Sequence, residues 1–220
     1  NYSIARISSF LQGREKNLWL GWFQRGLVFI PSSNKQFEFW RVLELEESDK
    51  YKINAVTTDH NADVWYSVEN RGVFNADKTG HIIQQFPELS DITQLQEDAQ
   101  GDLWFLSYRR GLGKITKDRK VIYLDLFAEV DAKAMVFGKN KKLYISTFGR
   151  GFVEYDASTN TFRQFSMNNT TASSGTLGND WINILLCDQE GLIWLGHHKG
   201  ISCYDPRKNA FVHQRANQHL

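Results

Sequence analysis

Long apolar runs are missing: none in the 220 residues exceeds a strand in length, which excludes a transmembrane helix within the stretch. The start, Asn1-Tyr2-Ser3-Ile4-Ala5-Arg6, lacks the form of a signal peptide. It also lacks an initiator Met, so the chain reads as a mature or excised piece of something longer. Charge of one sign is missing as well. With 26 basic and 25 acidic side chains the net charge is +1, and no global field favours nucleic acid or an anionic membrane. Cysteine is scarce, with only Cys187 and Cys203. On the strand assignment below they sit two strand spacings apart, about 9.6 Å, too far for a disulfide. Both read as free, buried thiols that say little about redox compartment. No segment shows a convincing helical period.

Catalytic signatures are absent too. There is no His-Glu-x-x-His, Gly-x-Ser-x-Gly or Cys-x-x-Cys, so zinc hydrolysis and serine-nucleophile chemistry lack their residues. The six histidines scatter, and only His197 and His198 are adjacent, at a strand end where neighbours point in opposite directions. Asp-rich turns such as Asp59-His-Asn-Ala-Asp63 invite a calcium reading, but one repeat replaces the turn with Gly138-Lys-Asn-Lys-Lys142. No loop offers the carboxylates calcium needs, and hairpin chemistry accounts for these residues better. No metal and no cofactor are expected.

What is present is a repeat. Trp19, Trp65, Trp104, Tyr144 and Trp194 recur at separations of 46, 39, 40 and 50 residues, and a glycine follows each by six or seven positions, at Gly26, Gly72, Gly111, Gly151 and Gly200. A fixed offset inside each unit with elastic spacing between units describes constant strands and variable loops. Each unit parses as four short strands, A to D, and a period of 40 to 50 residues built this way predicts β-propeller blades. The fold class expected is all-β, five four-stranded blades over roughly 2–42, 51–87, 91–125, 133–166 and 180–214. The strand-B aromatics are expected in the core between blades.

The fifth unit carries the fullest version: Asp188-x-x-Gly-x-Ile-Trp-Leu-Gly, then Lys199-Gly-Ile, then Tyr204-Asp-Pro206 and Phe211, led in by Gly175-Thr-Leu-Gly-Asn-Asp-Trp-Ile182. This resembles the two-component-regulator propeller repeat, over nearly the whole chain. The first unit matches most loosely, with Gly13-Arg-Glu-Lys-Asn17 in place of the Asp turn. The resemblance implies the periplasmic sensor of a membrane-bound, often hybrid, histidine kinase of Bacteroides-like bacteria, responding to breakdown products of complex carbohydrates. It implies that kinase and membrane anchor lie outside this chain, that the whole protein works as a homodimer, and that five units are part of a seven-bladed ring or an unusually small closed one.

In such blades the B–C turns and D–A links emerge at the same end. Every B–C turn here ends in a basic residue before its glycine: Arg25, Arg71, Arg110, Arg150 and Lys199, with Arg109 doubling the third. Beside them stand Trp22, Phe23, Tyr108, Phe148, His197 and His198. Guanidinium groups interleaved with aromatics suit an acidic oligosaccharide, Arg forking onto carboxylate or sulfate and rings stacking on sugar. The same arginines also read as solvated turn residues, or as partners of acids such as Glu44, Glu46 or Asp125. Two other functions remain open: a lyase of the streptogramin-lyase-like propeller kind, which needs a convergent His and acid, and a scaffold for protein partners.

Overall fold

The computed structural model describes residues 7–13, 16–22, 26–32, 38–40, 52–124, 131–168 and 172–212. Of the expected site residues, Arg25 and the side chain of Trp22 lie outside the described set, as do Phe23, Glu44, Glu46 and Asp125. The fold is all-β: five four-stranded antiparallel sheets, each a propeller blade with its strands paired in chain order.

The chain divides into two compact units, Asn1–Asp125 and Leu126–Leu220. The first holds sheet I (β1 Ile7–Gln12, β2 Leu18–Trp22, β3 Gly26–Ile30, β4 Glu38–Trp40), sheet II (β5 Ile53–Thr58, β6 Val64–Val68, β7 Gly72–Ala76, β8 Ile82–Phe86) and sheet III (β9 Ile92–Glu97, β10 Leu103–Ser107, β11 Gly111–Ile115, β12 Val121–Tyr123). The second holds sheet IV (β13 Ala132–Phe137, β14 Leu143–Thr147, β15 Phe152–Asp156, β16 Thr161–Phe165) and sheet V (β17 Ile182–Cys187, β18 Ile193–His197, β19 Gly200–Asp205, β20 Ala210–Val212).

The described part of strand A of the first blade, Ile7–Gln12, pairs with β2 from Gln12↔Leu18 to Ile7↔Trp22. Each A strand carries one extra residue near its start, where the register skips: Ser8, Asn54, Thr93, Lys133 and Asn183. A bulge at that point sharpens the local twist and re-aims the side chain it adds.

Alternation along its strands gives sheet II two apolar faces. In the first unit one cluster, built on Leu27, Ile53, Tyr66 and Phe74, joins sheets I and II, and another, built on Val73, Phe86, Ile92 and Phe105, joins sheets II and III. In the second unit Tyr144, Phe152 and Phe165 of sheet IV meet Ile182, Leu195, Tyr204 and Phe211 of sheet V. The strand-B aromatics divide. Trp19, Trp104 and Tyr144 are buried, whereas Trp65 and Trp194 are half-buried. Cys203 is buried and Cys187 half-buried, both as free thiols.

Candidate functional site

The B–C turns owe their shape to their glycines. Gly72 has φ 112° and Gly151 φ 77°, and a Cβ on either would collide with a strand-D carbonyl, Phe86 or Phe165. Only glycine takes such backbone this close to its neighbour. The long side chain before each glycine is then left at the tip: Arg71, Arg110, Arg150 and Lys199 are all exposed.

In the first unit Tyr108, Arg109 and Arg110 occupy one tip, with Tyr108 70% exposed. Asp91 shapes that tip by accepting from the Ser107 hydroxyl at 2.8 Å and from the Arg109 backbone N–H at 3.0 Å. The Arg110 guanidinium does not project freely. It lies 3.4 Å from the ring centroid of Tyr123 on the strand-D side of its own blade. Burial raises the Tyr123 hydroxyl above its usual range, with Asp91 adding to the effect and Arg110 opposing it.

The second unit gathers more. Phe148, 37% exposed, packs edge-on against Trp181, 44% exposed, with centroids 4.2 Å apart. His198 completes the group at 6.4 Å from Phe148 and 6.2 Å from Trp181. Lys133, the bulged residue of β13, sets its ammonium 5.0 Å from the Phe148 ring. The backbone pins this arrangement. Gly149 and Gly151 donate to the Asp180 carbonyl at 3.1 and 3.0 Å, and Met167 N–H donates to the Asp180 carboxylate at 2.7 Å. The D–A link is thereby tied to the B–C turn beside it. Arg150 and Lys199 sit in the same turns as Phe148 and His198.

His197 is half-buried and turned away from this group. Its Nδ1 accepts the Lys199 backbone N–H at 3.2 Å, so the proton sits on Nε2, which donates to Ser202 Oγ at 2.9 Å. Ser202 Oγ also accepts from Gly178 N–H at 3.1 Å. A histidine that donates to a serine cannot take its proton, so the pair is no activated nucleophile. Burial first, then His198 and Lys199, lowers the His197 pKa. Among the described residues no cluster of three or more His, Cys, Asp and Glu is placed to hold a metal ion.

A scan against protein-family models finds no match, and neither does a search of curated proteins. Solved structures do match. The extracellular domain of the hybrid two-component system BT4673 from B. thetaiotaomicron superposes with TM-score 0.75 at 19% identity, covering 96% of this chain and 30% of that one. The corresponding domain of BT3049 from the same organism gives 0.59 at 18%, covering 92% and 34%. Virginiamycin B lyase from Staphylococcus aureus gives 0.70 at 14%, covering 90% and 66%. The likeness is one of fold. This chain spans about a third of the length of those extracellular domains.

Trp181 and Lys133 join the aromatic group although neither stood among the expected site residues. Trp181 had a signal: it ends the Asn179-Asp-Trp lead-in, an aromatic in a D–A link directly before strand A. Lys133 had none, since its aim depends on the bulge.

Proposed function

We propose that these blades form part of the extracytoplasmic sensor of a two-component regulator. They bind an oligosaccharide at the end carrying the B–C turns and D–A links, and signal to a histidine kinase outside these 220 residues. The observation that carries this reading is the exposed Phe148–Trp181–His198 group, backed by Lys133 and flanked in its own turns by Arg150 and Lys199. Aromatic side chains offer an apolar face for a sugar ring, and the cations suit a carboxylate or sulfate on it. The likeness to the extracellular domains of BT4673 and BT3049 supports an extracytoplasmic placement; a periplasmic site, a membrane anchor outside these residues and a homodimer as the working state are part of the proposal. Within the first unit, Arg71, Arg109 and Tyr108 offer similar chemistry at their own turn tips, with Arg110 laid on Tyr123.

Calorimetric titration against neutral and acidic oligosaccharides tests it. Trp181→Ala is expected to weaken binding about tenfold, roughly 1.4 kcal/mol. Arg150→Ala is expected to weaken only acidic ligands. A folded protein that binds no saccharide defeats the reading. The lyase alternative draws on the fold shared with virginiamycin B lyase. Incubation with quinupristin, the compound in a solved structure of a catalytically inactive form of that lyase, followed by chromatography and fragmentation mass spectrometry decides it: a ring-opened product of unchanged mass establishes a lyase, and recovery of the intact ring removes that option.

A further inference from the structure

Within each unit the sheets stack in one sense. The leading face of a blade, which bears its strand-B aromatic, is covered by the trailing face of the blade that follows. Sheet II covers sheet I, sheet III covers sheet II, and sheet V covers sheet IV. The position directly after the B–C glycine marks each leading face. Leu27, Val73 and Phe152 stand there at 0% exposure, packed under the next sheet. In sheet V the same position is Ile201, and it is 74% exposed. Register adds three more aliphatic side chains to that face. Ile201 lines up through Gly196 with Ile184, and Val212 lines up through Cys203 and Trp194 with Leu186. Ile184 is 63% exposed, whereas its counterparts in covered sheets, Ala55 and Ala134, are buried.

The trailing face has its own marker, the first residue of strand A and the one three positions on. In sheets II, III and V these are Ile53 and Val56, Ile92 and Leu95, and Ile182 and Leu185, all buried in the same clusters. In sheet I they are Ile7 and Phe10, 58% and 63% exposed. The chain therefore carries both halves of its own repeated interface in uncovered form, a leading face on sheet V and a trailing pair on sheet I. Apolar side chains grouped this way mark an interaction surface, where single ones would need no explanation.

We propose that sheet V receives sheet I of a second copy of this chain, leading face on trailing face, so that copies join head to tail. Every cover seen within the units is of this kind, and sheet I is the blade whose trailing pair is exposed. The chemistry of the receiving face fits a generic apolar cover. In sheet IV the position opposite the strand-B aromatic is Glu154, whose partner Arg163 reaches Tyr204 and Asn209 of the covering sheet. In sheet V that position is Cys203, so the incoming sheet has no buried charge to match. Such a contact is heterologous: a joined pair keeps one free half at each end, and growth continues unless a ring closes. The inference stands apart from saccharide binding at the turn tips and does not depend on it.

Sedimentation velocity of the 220-residue chain over a wide range of concentration tests the proposal. The mass should rise with concentration above that of one chain. Ile201→Lys on sheet V and Phe10→Lys on sheet I should each abolish association without changing the circular dichroism spectrum, since both side chains are exposed in the single chain. Mixing the two variants is decisive, because each keeps the half that the other has lost. The mixture should form a one-to-one complex that stops at two chains. Leu186→Lys and Ile7→Lys take the place of either variant that does not fold. A wild-type chain that stays monomeric overturns the proposal. Association that persists in Phe10→Lys means that two sheet V faces meet, and overturns it as well. So does a mixture that stays monomeric while the wild type associates.

Discussion

Glu154 carries a charge into the packing between sheets IV and V, with its side chain 2% exposed. Three donors meet it: Lys142, Arg163 and the Tyr144 hydroxyl at 3.0 Å. Arg163 then reaches across to Tyr204 and Asn209 of sheet V, each at 3.4 Å, so one carboxylate organises contacts in two blades. Removing one member of such a pair leaves the others uncompensated. Glu154→Ala is expected to cost about 3 kcal/mol, the low end for a buried pair because Lys142 and Arg163 remain partly solvated. Urea unfolding measures it, and an unchanged midpoint refutes it. Arg110 shows the opposite solution, resting on Tyr123 rather than on an acid. The pairing Gly113↔Tyr123 brings strand D beside strand C and puts that ring within reach.

At the scale of the element, the recurring device is an Asp that holds both its turn and the tryptophan six residues on. Asp98 accepts Gln100 and Asp102 N–H, each at 2.9 Å, and the Trp104 indole N–H at 2.7 Å. Asp59 with Trp65 and Asp188 with Trp194 repeat it. The Trp194 indole is the largest cause holding the Asp188 carboxyl below its usual range. Sheet IV lacks the Asp and also the Trp: Gly138 opens its turn, and the Tyr144 hydroxyl accepts from Asn140 Nδ2 at 2.8 Å instead. A buried indole N–H needs an acceptor, and sheet IV, which has no such N–H, does without the Asp; the first blade keeps Trp19 with Gly13 where the Asp would stand. Asp98→Ala should lower stability by about 2 kcal/mol, because Trp104 is buried and its donor is orphaned. Asp188→Ala should cost less, since the half-buried Trp194 can turn to water. Denaturant midpoints for the two variants provide the ranking, and the reverse order refutes the account. The same coupling explains why these carboxylates are poor calcium ligands: their lone pairs are committed to protein donors.

For the molecule as a whole, a net charge of +1 supplies no long-range field, so any electrostatic recognition must be local. Binding of an acidic oligosaccharide at the aromatic end should therefore weaken as salt rises, through Lys133, Arg150 and Lys199, while a neutral one keeps its affinity. Titrations at low and high ionic strength distinguish these outcomes, and equal salt dependence for both ligands refutes the local model. Among the described residues no helix is long and apolar enough to cross a membrane.

Blade number, strand order within each blade and the B–C glycines were legible in the sequence, because short strands, turn chemistry and positive φ are local properties that a repeat states five times over. The Asp-to-Trp spacing was also in plain view, although its meaning as a hydrogen bond was not. What required the tertiary structure was which side chains meet across strands, between blades or over a bulge: Trp181 against Phe148, Lys133 aimed over that ring, Arg110 laid on Tyr123, and the Asn75 amide nitrogen left without a partner. Each depends on which strands lie side by side and at what register. A sequence read one residue at a time does not encode that until the sheets have packed.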